Sequence, residues 1–204
     1  MKKLHYYLEL LIVLIGKELK IRYKNTVFGY LWSVASPLAF ALTFYVVFSH
    51  TMRLDMENYL VFLLAGMFPW QYFNNSVNQS PWVFLGNASL IKKVTFPRVM
   101  LALAMMGNNA IHFLLALPVL LVFLWMGNIV FHWQNILWLF ILFFNQSLIV
   151  FGAVLFLGTT NLFFRDMENL TQVLMNLLFY LTPVLYPIKV IPQEYRLLLS
   201  LNPM

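Results

Sequence analysis

Residues 99–164 form a run of 66 residues without one charged side chain. An ordinary soluble domain is about 25% charged, so such a run has almost nothing to present to water. A helix crossing a bilayer needs about 20 mostly apolar residues. The run therefore holds two spans, with the turn falling near Gly127-Asn128 or in His132-Trp133-Gln134-Asn135. Three more charge-free runs flank it: 28 residues at 25–52, 34 at 58–91 and 20 at 169–188. The first and last hold one span each. The middle one is strongly apolar through residues 59–67, then turns polar at Gln71, Asn74, Asn75, Asn78 and Gln79, with Pro69 and Pro81. It reads as one long kinked span whose polar stretch faces protein or water rather than lipid.

The predicted fold is thus all-α and polytopic, with five transmembrane helices at about 27–50, 59–84, 99–125, 136–162 and 170–187. Composition agrees, because 62% of residues are hydrophobic, 18% aromatic and only 10% charged. Without a linker, a repeat or a low-complexity tract, residues 1–204 read as one transmembrane domain.

The few positive charges orient the chain. With the amino terminus in the cytoplasm, ten fall inside: Lys2, Lys3, Lys17, Lys20, Arg22, Lys24, Lys92, Lys93, Arg98 and Arg165. Three fall outside: Arg53, Lys189 and Arg196. The net charge of +6 is therefore a topology signal, and nucleic acid is not an expected partner.

Residues 1–24 precede the first span. Their apolar run, 10–15, ends at Gly16-Lys17-Glu18 without a small-residue cleavage site, unlike a signal peptide. Leu4, Leu8, Leu11, Ile15 and Leu19 recur at spacings of three and four, while Lys2, Glu9, Lys20 and Lys24 fall opposite. One apolar face with basic flanks predicts a helix lying flat at the cytoplasmic interface, although a soluble amphipathic helix shows the same stripe.

No catalytic constellation is present. There is no G-x-x-x-x-G-K-[ST] loop, so the chain is not expected to hydrolyse ATP alone. With no cysteine, disulfides and thiolate sites are excluded. His5, His50, His112 and His132 lack ligand spacing, so no metal site is expected. Acidic residues are absent from the spans, which weighs against an ion-coupled carrier.

Two features remain. Lys92, Lys93 and Arg98 share a cytoplasmic loop, and Arg165-Asp166 sits in a tight cytoplasmic turn. Each is either a solvated turn or a docking surface for a cytosolic partner. Tyr30, Trp32, Phe40, Phe44, Tyr180 and Tyr186 enrich the first and last spans. Such rings stack on sugars and also anchor helices at lipid headgroups, and spacing alone favours anchoring and packing.

Four separated segments resemble the permeases of ATP-binding-cassette polysaccharide exporters, which move O-antigen, capsule or teichoic-acid chains. The first is Arg22-Tyr23-Lys24-Asn25-Thr26-Val27-Phe28-Gly29-Tyr30-Leu31-Trp32 with Pro37 following, and the second Ser89-Leu90-Ile91-Lys92-Lys93-Val94-Thr95-Phe96-Pro97-Arg98. The third is Asn161-Leu162-Phe163-Phe164-Arg165-Asp166. The fourth is Thr182-Pro183-Val184-Leu185-Tyr186-Pro187, leading to Ile191-Pro192 and Leu201-Asn202-Pro203.

The resemblance implies a homodimeric channel in the bacterial inner membrane, carrying lipid-linked polysaccharide. A separate cytosolic nucleotide-binding ATPase subunit would hold ATP and Mg, with no cofactor on this chain. It also implies that residues 1–24 form the interfacial helix. Lys92, Lys93, Arg98, Arg165 and Asp166 would serve as cytoplasmic gate or coupling element. Residues 188–204 would dip back from the outer face as a re-entrant segment. The aromatic set would then become sugar-stacking rungs along a central pathway. Members of that family normally carry six spans, so a chain ending at Met204 after five is expected to lack the sixth. An exporter of lipids or drugs on a similar frame is the alternative within transport. A membrane-embedded enzyme acting on lipid-linked sugars is the alternative outside it, with Asp55 and Glu57 as its outer acidic pair.

Overall fold

A computed structural model describes residues 2–47, 58–130 and 132–187, together with residues 192 and 194. Every regular element among the described residues is helical. Helix α1 spans Lys2–Arg22, and a 3-10 turn at Gly29–Leu31 leads into α2, Trp32–Val46. Then come α3 (Tyr59–Gln79), α4 (Trp82–Leu85), α5 (Ala88–Lys93), α6 (Val99–Met126), α7 (Trp133–Thr160) and α8 (Met167–Leu181).

Helices α6 and α7 have 28 residues each and are long and apolar enough to cross a membrane. At 1.5 Å per residue each measures about 42 Å, which exceeds a hydrocarbon core of about 30 Å. They divide the uncharged run where the first of the two expected turns placed it. Asn128 takes the left-handed conformation, φ 52°, and the Gly127 N–H closes the end of α6 on the Phe123 carbonyl at 3.0 Å. Trp133, Gln134 and Asn135 are already helical, so the second placement is corrected.

Other boundaries also differ from the expected spans. The second span, expected to reach residue 84, ends as a helix at Gln79. Pro81 has no N–H to continue the ladder, and the chain turns at Ser80-Pro81 into the short α4. Pro69 stays inside α3, and its carbonyl accepts a hydrogen bond from Gln146 Nε2 of α7 at 3.0 Å. The last span, expected to reach residue 187, stops at Leu181. Thr182 is extended, as the residue before a proline prefers to be. Residues 182–187 are irregular, and Val184 and Leu185 are buried.

Contacts at the two ends show that successive helices alternate in direction. At one end Asn58, before α3, lies beside Gly127, after α6. Tyr59 stacks on Tyr45 of α2, ring centroids 6.5 Å apart, and its hydroxyl donates to the Leu185 carbonyl after α8 at 2.5 Å. At the other end Asn161 Nδ2, closing α7, donates to the Pro81 carbonyl at 2.7 Å. Lys17 of α1 donates to Asn87 Oδ1 there as well. Lys92, Lys93, Arg98 and Arg165 belong to this second end, so these described basic residues gather on one side of the bundle.

Between the ends, Phe113 and Phe143 stack at 4.9 Å with Tyr72 5.0 Å from Phe143, binding α3, α6 and α7 into one core. Helix α1 forms as expected, and part of the expected stripe packs on the bundle. Leu14 is buried and Leu10, Leu11 and Ile15 pack on the core, whereas Leu4 and Leu8 are exposed. Ile15 meets α6 at Gly107, where the missing side chain lets the two helices approach closely. The expected end of the first span at 48–50, the outer residues Arg53, Asp55 and Glu57, and most of 188–204 lie outside the described residues.

Candidate functional site

Two concave sites meet at Gln71 of α3. Its polar half, residues 71–79, forces this arrangement, because amides on a helix surrounded by lipid need partners or water. Trp70, Tyr72, Phe73, Ser76 and Val77 turn into the protein, while Gln71, Asn74, Asn75, Asn78 and Gln79 are half-buried.

The first site is a polar cavity of about 320 Å³ between the end of α1, the start of α2, α3 and α6. Arg22 Nη1 donates to Asn109 Oδ1 at 2.8 Å. Asn109 is almost fully buried, and its Nδ2 donates onward to Ser76 Oγ and Gln79 Oε1, both at 3.2 Å. The Tyr23 hydroxyl lies 3.1 Å from His112 Nδ1. Trp32, Gln71 and Asn75 also line the wall. Burial lowers the Arg22 pKa from the ordinary arginine value, with Tyr23 acting in the opposite sense. The guanidinium stays charged, since arginine is not deprotonated in proteins.

The second site is an aromatic cleft of about 530 Å³ between α2, α3 and α8. Phe40 and Phe44 line it from α2, Gln71 and Asn74 from α3, and Asn176 and Tyr180 from α8. Phe179 ties the wall together, its ring 6.0 Å from Phe44, 5.3 Å from Trp70 and 5.4 Å from Tyr180. Phe40 and Tyr180 are 54% and 64% exposed, so their faces are open rather than committed to the core.

The six aromatic residues singled out from sequence therefore divide. Phe40, Phe44 and Tyr180 converge on the cleft, whereas Trp32 lines the polar cavity instead. Tyr186 donates its hydroxyl to the Tyr180 carbonyl at 2.8 Å and so braces the cleft from behind the helix end. The Tyr30 side chain lies outside the described residues.

Lys92, Lys93, Arg98, Arg165 and Asp166 are all exposed, and none is ion-paired with another described residue. The two basic segments belong to the same end of the bundle, where Asn161 at the end of α7 donates to the Pro81 carbonyl of the α3–α4 turn. From the sequence Arg22 and Tyr23 stand out only as an inner charge and the start of the first family segment, His112 only as a histidine without ligand spacing, and Asn109 and Asn176 not at all. The available signal was the polar set Asn108, Asn109 and His112 inside an otherwise apolar run.

Residues 9–204 match the family model described as ABC-2 type transporter. The chain belongs to the ABC-2 type transporter family.

Relatives agree with that placement. An O-antigen export system permease protein RfbA of Klebsiella pneumoniae is 40% identical over 204 residues, covering 98% of this chain and 78% of that protein. One of the same name from Myxococcus xanthus is 32% identical, covering 100% of this chain and 78% of the relative. A polysialic acid transport protein KpsM of Escherichia coli is 23% identical, covering 92% and 74% respectively. As an ABC-2 transporter the chain is a transport subunit of a membrane, and family membership implies association with an ATP-binding subunit. In this ABC-2 transporter the cleft and the cavity are two concave surfaces that carry aromatic and amide groups among the described residues.

Proposed function

We propose that this chain is the channel-forming permease half of an ATP-driven exporter that moves lipid-linked polysaccharide of O-antigen or capsule type across the bacterial inner membrane. The observation that carries this reading is the pairing of aromatic rings with uncharged amides in one cleft, Phe40, Phe44 and Tyr180 beside Gln71, Asn74 and Asn176. Rings stack on the apolar faces of sugars, and amides offer both donors and acceptors to hydroxyls. A sliding polymer is served by many weak contacts of this kind. The cleft favours a sugar over a drug or an acyl chain because half of these named groups are amides, which an apolar cargo would leave unpaired at a cost. The names of the relatives point the same way.

In this reading the single transmembrane domain has five spans and its amino terminus in the cytoplasm, with α1 at the inner interface. Two copies form the channel. A cytosolic ATPase subunit binds ATP and Mg and docks on the basic end, where Lys92, Lys93, Arg98, Arg165 and Asp166 transmit its motion. The bias of ten inner against three outer basic residues supports that orientation.

The test is co-expression with the nucleotide-binding subunit encoded beside its gene, purified through a tag on this chain alone. A stoichiometric complex whose ATPase activity needs both proteins, and which moves polysaccharide into vesicles, is the expected result. A chain that purifies without any ATPase under mild detergent loses its energy source, and the export reading with it.

A further inference from the structure

Arg22 is a cation without a counter-ion. Among the described residues the ion pairs are His5–Glu9 and Lys17–Glu18, and no carboxylate lines the polar cavity. The partner of Arg22 is the neutral Asn109 amide, which Ser76 and Gln79 hold in turn. That chain of bonds fixes where the guanidinium sits and leaves its charge uncompensated. A desolvated charge is costly unless paired. A guanidinium offers five N–H donors in a fork that fits a phosphate, and the bond to Asn109 uses one of them.

Depth supplies a second, independent argument. Trp125 and Trp133, 80% and 87% exposed, mark the outer headgroup level at the α6–α7 turn. Asn109 lies sixteen residues before Trp125 on the same helix, or about 24 Å inward, which is close to the far side of a core about 30 Å thick. The Arg22 guanidinium, bonded to Asn109, is therefore in the inner part of the hydrocarbon core, about 6 Å short of its inner boundary.

We infer that the polar cavity at Arg22 binds the phosphate group of a membrane-borne lipid, with Arg22 taking the anion and Asn109 holding Arg22 in place. Gln71 lines both this cavity and the aromatic cleft, so an occupant can have its phosphate at Arg22 and its next groups among the rings. Which lipid is meant rests on the export reading. A polysaccharide joined to its lipid through phosphate presents those groups in that order, and an ordinary anionic phospholipid presents the phosphate alone.

The experiment uses the complex of this chain with its ATP-binding subunit in nanodiscs of zwitterionic lipid. It is titrated with radiolabelled polyprenyl diphosphate and, separately, with phosphatidylglycerol. Saturable binding is expected, weakened roughly tenfold or more by Arg22→Gln and less by Arg22→Lys. Lys20→Gln, which removes an exposed charge from the same helix, is expected to bind as the wild type does. A variant-free measurement guards against misfolding, namely phenylglyoxal modification of Arg22 read by peptide mass spectrometry. Bound polyprenyl diphosphate should slow it.

Tighter binding of the diphosphate lipid assigns the site to the carrier of the cargo. Equal, Arg22-dependent binding of both assigns it to anionic phospholipid at large. Equal affinity in the wild type and Arg22→Gln, or modification of Arg22 that no lipid slows, overturns the site. If binding depends on Arg22 yet the wild-type complex moves no polysaccharide, the export reading falls and the site stands.

Discussion

Tyr180 and Phe40 present open rings, and Phe44 a half-buried one packed on Phe179, to a cleft that also holds three amides, and the worth of each ring is set by stacking. An aromatic contact contributes about 0.5–1.5 kcal/mol beyond its area. Alanine at any one of the three should therefore slow export roughly two- to tenfold while the complex elutes unchanged on size exclusion. Undiminished export in all three variants would return these rings to a packing role. Asn161 makes a different kind of contribution. Its amide satisfies the Pro81 carbonyl in a buried setting, so Asn161→Ala should cost about 1–3 kcal/mol in unfolding measured in detergent.

Helix packing in this chain depends on a few glycines, because lipid supplies no hydrophobic drive between helices. A Cβ on Gly158 of α7 would stand 2.7 Å from Val83 Cγ1 and 3.0 Å from the Ser80 carbonyl oxygen. The side chain can yield but the carbonyl cannot. Gly158→Ala is expected to destabilise the protein by about 1–3 kcal/mol, as overpacked cores do. Gly152, two turns earlier, has open space where its Cβ would be. Gly152→Ala should be neutral or stabilising by up to about 1 kcal/mol, from helix propensity alone. Thermal midpoints of the two variants moving together would contradict this account of the α7 interface.

For the molecule as a whole, the absence of cysteine allows single-cysteine mapping without a prior knockout. Lys93→Cys and Arg165→Cys should react with an impermeant maleimide only from the cytoplasmic side, and Asn128→Cys only from the outer side. Labelling of residues 93 and 128 from the same side would break the alternating arrangement of α3, α6 and α7. Charge reversal at Lys92, Lys93 or Arg165 should leave ATP hydrolysis running while export falls, since these residues sit at the end assigned to the ATPase. Normal coupling in all three variants would leave them as markers of topology only.

Much of this architecture is a one-dimensional property of the chain. Charges are expensive in lipid and cannot be moved by packing, so their spacing determined the order of the helices and the basic end, while the turn in the uncharged run stayed open between two places until the structure put it at Gly127-Asn128. Proline chemistry was present in the sequence too, although Pro81 and Pro183 ended helices earlier than hydropathy alone implied. What the sequence could not determine is which side of an apolar helix meets its neighbour. A helix that is hydrophobic all round carries no such signal, and even on amphipathic α1 the expected Leu11 and Ile15 pack inward together with Leu10 and Leu14, while the expected Leu4 and Leu8 stay exposed. The joining of Arg22 to Asn109, 87 residues apart, was likewise decided by the tertiary structure. So was the division of the aromatic residues between a cleft and a cavity, because only packing puts Phe40, Gln71 and Tyr180 on one surface.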